Sequence, residues 1–241
     1  MQIEEILDPI SFKEFRKEYQ GRKFFYVKTK NKDRFSHLYS WEMFDRYLND
    51  YRNVINLSVI NPPVNHVSKR EDNVFRKGED DVLKKKKNAF NYWREGCSFV
   101  LPFAEYQNEA MVEVCETMEF MYGDGQANIY CSPTAESKSF PPHVDSTENF
   151  LIHIDGKIKW TIYKDFWDAK RTKKEHELTV AEEFELSEGD LLYLPKGQYH
   201  KAISLSQRIS ISFHFPKQKK YKGNKFFRPK RDHWYDWEFW K

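Results

Sequence analysis

The chain has 241 residues, 39% of them hydrophobic and 17% aromatic, which is enough apolar material for one full core in a single domain and too much for a disordered chain. Forty Lys and Arg against 37 Asp and Glu leave a net charge of +3, so charge alone does not call for a nucleic-acid partner. There is no apolar run long enough to cross a membrane, and the N-terminus Met1-Gln-Ile-Glu-Glu5 lacks the basic and apolar character of a signal peptide, so a cytoplasmic location is expected.

In chain order, Ser11 and Glu14 have the form of a capping box that opens a short helix to about Tyr19. Residues 24–29 read as a strand. Ser40 caps a helix over 41–51 with Trp41, Phe44 and Leu48 on one face, and 54–60 is apolar enough for a second strand. The stretch 61–88, with Pro62-Pro63, mixed charges and lysines at 84–87, reads as a long loop. Its lysine run is a solvated surface in one reading and part of a substrate-recruiting lid in another. Over 105–122, Met111, Val114, Met118 and Met121 recur at helical spacing, and Gly123-Asp-Gly125 ends the helix. Cys97, Cys115 and Cys131 are odd in number and form no Cys-x-x-Cys pair, so they read as reduced core thiols. The chain then divides into an N-terminal elaboration of helices and strands (1–126), a β core (127–215) and a tail (216–241), all within one domain.

The candidate chemistry lies in the β core. In a strand, residues two apart point to the same side, so His143 and Asp145 can reach one metal while Val144 packs behind them. A third ligand comes from His200, which closes Glu188-Gly-Asp-Leu-Leu-Tyr-Leu-Pro-Lys-Gly-Gln-Tyr-His200: a turn, a short apolar strand, a second turn and the start of the next strand. Two neutral imidazoles and one carboxylate on one face of an octahedral metal make the ligand set of a mononuclear non-haem iron(II) site, with positions left open for a cosubstrate and dioxygen. Residues 163–185 read as a connecting loop, with His176 on it as a non-ligand. Gly-x-Ser-x-Gly elbows, phosphate-binding glycine loops and His-Glu-x-x-His helices are all missing from the sequence.

Three segments carry a family resemblance: 127–133, 140–163 and 188–202. In order, spacing and the Gly156/Trp160 pair, the chain from Phe99 to Phe215 resembles the JmjC-type cupin oxygenases, and among them the ribosomal oxygenase group of protein hydroxylases that depend on Fe(II) and 2-oxoglutarate. The resemblance implies a mainly β fold with flanking helices, a double-stranded β-helix of the cupin or jelly-roll type, and iron held by His143, Asp145 and His200. It also implies hydroxylation of a protein or peptide side chain with release of succinate and CO2.

One departure is specific. The family places a Lys or Arg two residues after the glycine matching Gly156, where it holds the distal carboxylate of 2-oxoglutarate, and here that residue is Ile158. On a strand that alternates Lys157, Ile158, Lys159, Trp160, both lysines point away if Trp160 faces inward. Downstream, Arg208-Ile-Ser210 resembles the Arg-x-Ser anchor of other 2-oxoglutarate oxygenases, on a strand alternating Arg208, Ser210, Ser212, His214 with Ile209, Ile211, Phe213, Phe215. The other reading of that alternation is an edge strand with a solvated polar face. Tyr130 and Asn149, on flanking strands, are candidates to orient the cosubstrate. Two alternatives remain: a metal-binding cupin enzyme without 2-oxoglutarate, and a catalytically silent cupin that binds nucleic acid or protein. Residues 216–241 interleave cations with Trp234, Tyr235, Trp237, Phe239 and Trp240, a pattern that packs on the barrel in one reading and binds nucleic acid in the other.

Overall fold

The computed structural model describes residues 1–49, 57–60, 79–123, 125–168 and 172–215. Among them ten strands form two antiparallel sheets: β1 Phe25–Val27, β2 Ser58–Val59, β3 Phe99–Leu101, β4 Gln126–Ser132, β5 Asn149–Asp155, β6 Ile158–Phe166, β7 Val180–Leu186, β8 Leu191–Leu194, β9 Gln198–Ser204 and β10 Arg208–His214. The larger sheet runs β1-β8-β5-β10-β4-β3-β2 and the smaller β7-β6-β9. From β5 onward the chain passes to the small sheet for β6 and β7, back for β8, over again for β9 and back for β10, so the two sheets become facing walls of a double-stranded β-helix. Between them pack Leu151, Leu192 and Leu194 from the large sheet against Ile158, Trp160, Ile162, Phe184 and Leu186 from the small one.

Strand alternation sends the other residues outward to a second core. Phe150, Ile152, Ile154, Ile209, Ile211 and Phe213 meet the helices that cover the large sheet. These are α1 Ile3–Leu7, α2 Phe12–Glu14 with its wider continuation to Tyr19, α3 Trp41–Asn49, α4 Glu79–Arg94 and α5 Glu109–Tyr122. Side-chain caps begin three of them: Ser11 Oγ accepts from the Glu14 amide at 3.2 Å, Ser40 Oγ from Met43 at 3.2 Å and Asn108 Oδ1 from Met111 at 2.9 Å. Met111, Val114 and Met118 are buried, each contributing about 1.5–3 kcal/mol of apolar burial. No helix among the described residues is long and apolar enough to cross a membrane, and all three cysteines are free and buried.

Two crossings depend on glycine. Gly156, between β5 and β6, has φ +76°, and a Cβ there would lie 1.9 Å from the Gln207 carbonyl oxygen. Gly189, before β8, has φ +82° and would bring a Cβ to 2.4 Å from the Asn31 carbonyl oxygen.

Several expectations need correction. The helix expected over 105–122 begins at Glu109, because Asn108 caps it; Ala104–Tyr106 is a separate single turn, and Glu105 is buried, accepting the Ala127 amide at 2.8 Å. Residues 79–88 are not loop: they belong to α4, a run of Glu, Asp, Lys and Leu with no Gly or Pro to break it, so the lysines at 84–87 lie on a helix. The proposed loop 163–185 is sheet at both ends, since β6 continues to Phe166 and β7 begins at Val180 and pairs with it. β7 is an edge strand whose charged residues face solvent, and this composition mimics a loop. Within 54–60 the described strand is Ser58–Val59. Residues 50–56, 61–78 and the tail 216–241 lie outside the described residues, and with them the tail readings; of the lysine run behind the lid reading, the side chains of 84–86 lie outside them too. Strands β1, β2 and β3, all from the N-terminal elaboration, complete both edges of the large sheet.

Candidate metal centre

The segment carrying His143 and Asp145 is extended and tied to β9, though it is a single bridge and not a full strand. His143 and His200 pair directly, each amide donating to the other's carbonyl at 3.1 and 2.9 Å, and the Gly197 amide donates to the Asp145 carbonyl at 3.0 Å. This pairing places side chains from distant parts of the chain at one end of the barrel. His143 Nε2 lies 4.0 Å from Asp145 Oδ1, and His200 Nε2 lies 3.5 Å from Asp145 Oδ2. One donor atom from each of the three residues falls within 4.8 Å of the others, close enough for small side-chain rotations to bring all three onto one ion. They form the one such cluster of His, Cys, Asp and Glu among the described residues.

The surroundings of the three residues fit a metal. Each imidazole uses Nδ1 on a backbone carbonyl, His143 on Pro141 at 2.9 Å and His200 on Gln198 at 2.9 Å, which fixes the tautomer and leaves both Nε2 atoms as acceptors. Burial lowers the His200 pKa and His143 adds to this, partly offset by Asp145, so its imidazole is held neutral as a ligand must be. The Asn149 amide donates to Asp145 Oδ2. Asn149 therefore orients the carboxylate of the cluster, a contact that sequence reasoning did not foresee for it. His200 is buried while His143 and Asp145 are partly open, so the centre sits at the mouth of a cavity.

That cavity runs inward past Tyr130, Ile158 and Trp160 to Arg208 and Ser210. The polar face of β10 is thus not a solvated edge: β10 lies between β5 and β4 in the middle of the large sheet, and Arg208, Ser210 and Ser212 are each 5% exposed or less. Arg208 Nε donates to Ser204 Oγ at 2.8 Å and its Nη1 to Ser210 Oγ at 3.0 Å, while Nη2 makes no hydrogen bond among the described residues. No carboxylate among the described residues pairs with it. Burial pushes its pKa down to about 10, with Cys131 and Tyr130 opposing, so the guanidinium stays charged at neutral pH. A buried cation without a counter-ion is costly, and its free donors face a cavity that an anion could enter. Burial, with the nearby Asp145 carboxylate, pushes the Tyr130 phenol up to about 12, which keeps it a hydrogen-bond donor.

Ile158 is fully buried on the cavity wall, as the alternation of β6 implies. Lys159 points to the outside of the small sheet, 2.9 Å from Glu183, and Lys157 is exposed. Sequence reasoning missed the residues behind Arg208. Ser204 Oγ continues to Ser132 Oγ at 2.9 Å and on to Ser98 at 2.8 Å, and buried His153 reaches Ser210 at 3.1 Å. The one available signal was His153 standing among Leu151 and Asn149 on the inward register of β5.

Two facing antiparallel sheets, with two imidazoles and a carboxylate gathered at one open end, define a barrel of the cupin class with a candidate mononuclear metal centre. The sequence profile of the JmjC domain family matches residues 99–222, and the chain belongs to that family. It is similar to the bifunctional lysine-specific demethylase and histidyl-hydroxylase NO66 of Dictyostelium discoideum, at 28% identity over 217 residues covering 86% of this chain and 40% of that protein. The Drosophila persimilis protein of the same name is 28% identical over 221 residues, 88% of this chain and 30% of that one. The chain thus spans less than half the length of these relatives. Among solved structures, the Escherichia coli ribosomal oxygenase YcfD in complex with cobalt and 2-oxoglutarate superposes with a TM-score of 0.56 at 14% identity, over 88% of this chain and 53% of that chain. Its complex with cobalt and succinic acid gives 0.58 at 14% identity with the same coverage. At that identity the likeness concerns the fold.

Proposed function

We propose that the protein is an Fe(II)- and 2-oxoglutarate-dependent oxygenase that hydroxylates a protein or peptide side chain and releases succinate and CO2. The observation that carries this reading is a cavity with His143, Asp145 and His200 at its mouth and, at its inner end, the charged Arg208, which pairs with no carboxylate among the described residues. The names of the similar proteins, a histidyl-hydroxylase and a ribosomal oxygenase caught with 2-oxoglutarate and with succinic acid, support the same chemistry.

In this reading His143, Asp145 and His200 hold iron(II), with Asn149 fixing the Asp145 carboxylate. Iron in such a site supplies the activation of dioxygen that a protein side chain lacks. Arg208 and Ser210 bind the distal carboxylate of 2-oxoglutarate and direct its keto-acid end back toward the mouth, with the Tyr130 phenol as a further donor. Ile158, Trp160 and Leu151 exclude water from the space between. Position 158 can be apolar because the anchoring charge has moved from β6 to β10. The three free thiols suit a reducing cytoplasm, which also suits iron(II).

The test is succinate formation. Protein supplied with Fe(II), ascorbate, oxygen and 2-oxoglutarate should release succinate even without its substrate, slowly, and His200→Ala should not. Absence of succinate from protein that binds both iron and 2-oxoglutarate would overturn the reading in favour of a silent cupin.

A further inference from the structure

We infer that His153 and Trp160 act as positioning residues that turn Ser210 into a hydrogen-bond donor to the carboxylate held by Arg208. The inference deepens the reading above and rests on it. The proton positions follow from donor chemistry alone. An indole N–H can only donate, so Trp160 Nε1, 3.3 Å from His153 Nε2, requires that nitrogen to be bare. A neutral imidazole then carries its proton on Nδ1, which lies 3.1 Å from Ser210 Oγ, and His153 donates to the hydroxyl. Arg208 Nη1 can also only donate, and it gives Ser210 Oγ a second hydrogen bond at 3.0 Å. Both lone pairs of Oγ are therefore occupied. The hydroxyl proton must find another acceptor, and the cavity that Ser210 lines is the place for one.

The arrangement is held from every side. His153 has no solvent exposure, and its backbone is tied to the turn before β8, with its amide donating to Asp190 at 3.0 Å and its carbonyl accepting from Gly189 at 2.9 Å. Burial, reinforced by the Arg208 charge, pushes the imidazole pKa down to about 3, which keeps the neutral ring in place. The result is a wall that presents the Nη2 donors of Arg208, unpaired among the described residues, and the Ser210 hydroxyl to the same space. Such a wall suits a carboxylate better than a carboxamide or an alcohol, whose own donors would face it.

Two measurements on the full-length protein test this. Nitrogen-15 NMR of the histidine-labelled, Zn(II)-loaded protein without 2-oxoglutarate should show His153 with Nδ1 protonated and Nε2 bare over roughly pH 6 to 8. A protonated Nε2 would overturn the inference and leave the reading of Arg208 standing. In the second, 2-oxoglutarate is titrated into Mn(II)-loaded wild type and variants. His153→Leu should bind about tenfold more weakly, whereas His153→Gln, whose amide can accept from Trp160 and donate to Ser210, should stay within about threefold of wild type. Should the leucine variant fail to fold, Trp160→Phe removes the indole donor and keeps an aromatic ring, and weaker binding by a few-fold is expected. Gln no better than Leu, or Phe equal to wild type, would refute the relay. Wild type that does not bind 2-oxoglutarate would overturn the reading itself and the ligand half of the inference, with the tautomer still judged by NMR.

Discussion

Replacing Arg208 with alanine separates the anchoring charge from the metal. A charge-assisted contact with a carboxylate contributes about 1.5–3 kcal/mol, so Arg208→Ala should weaken 2-oxoglutarate binding by about one to two decades. Its effect on the free protein should be small, or even stabilising. The guanidinium is buried with serine hydroxyls as its hydrogen-bond partners, Ser204 and Ser210 keep Ser132 and His153 after it is gone, and a space lined by hydroxyls can take water. Thermal unfolding of Mn(II)-loaded protein with and without ligand reads both quantities. Wild type at 100 times its Kd should gain about 2.7 kcal/mol from 2-oxoglutarate, and the variant at the same concentration should keep only about 0.4–1.4 kcal/mol of it. Arg208→Lys, with the charge but not the planar fork, should fall between. Lys159→Ala should do little, because Lys159 is engaged with Glu183 on the outer side of β6. If Lys159→Ala were the damaging variant while Arg208→Ala bound normally, the assignment of the anchor to β10 would be wrong.

His143→Ala should abolish stoichiometric binding of a divalent metal, and calorimetry showing unchanged affinity would remove His143 from the ligand set. His153 gives a pH dependence whose sign is fixed: its folded pKa of about 3 lies below the unfolded value of 6.5, so the unfolded chain takes up the proton first. Its contribution is complete above about pH 6.5 and declines on acidification, costing about 2 kcal/mol by pH 5. Denaturant titrations at the two pH values should show that decline reduced in His153→Gln. Gly156→Ala should lower the melting temperature sharply, because the left-handed backbone costs about 1 kcal/mol and the new Cβ meets the Gln207 carbonyl at 1.9 Å, a backbone atom with little freedom to move. An unchanged melting curve would mean that the turn between β5 and β6 relaxes more freely than its packing implies.

What the sequence by itself determined is local. His143 and Asp145 two residues apart, the glycine turn at 189, the caps at Ser11 and Ser40, and the inward register of Ile158 with Trp160 all follow from backbone periodicity and turn chemistry, and the structure has each of them. Periodicity also shows that β10 has a polar face and an apolar one. It does not say what covers the polar face, and only the small sheet stacked across from it turned Arg208 from a surface residue into a buried cation. The same limit explains the other misreadings. β7 looked like a loop because an edge strand keeps its charges in water, and Asn149 finds Asp145 as its partner because the bridge between His143 and His200 returns that segment to the barrel mouth. His153 gives no sign in the sequence of being a fixed donor, since its tautomer depends on Trp160 from the opposite sheet. Local pattern sets which residues share a face; burial, proton position and charge compensation depend on what the rest of the chain brings against that face.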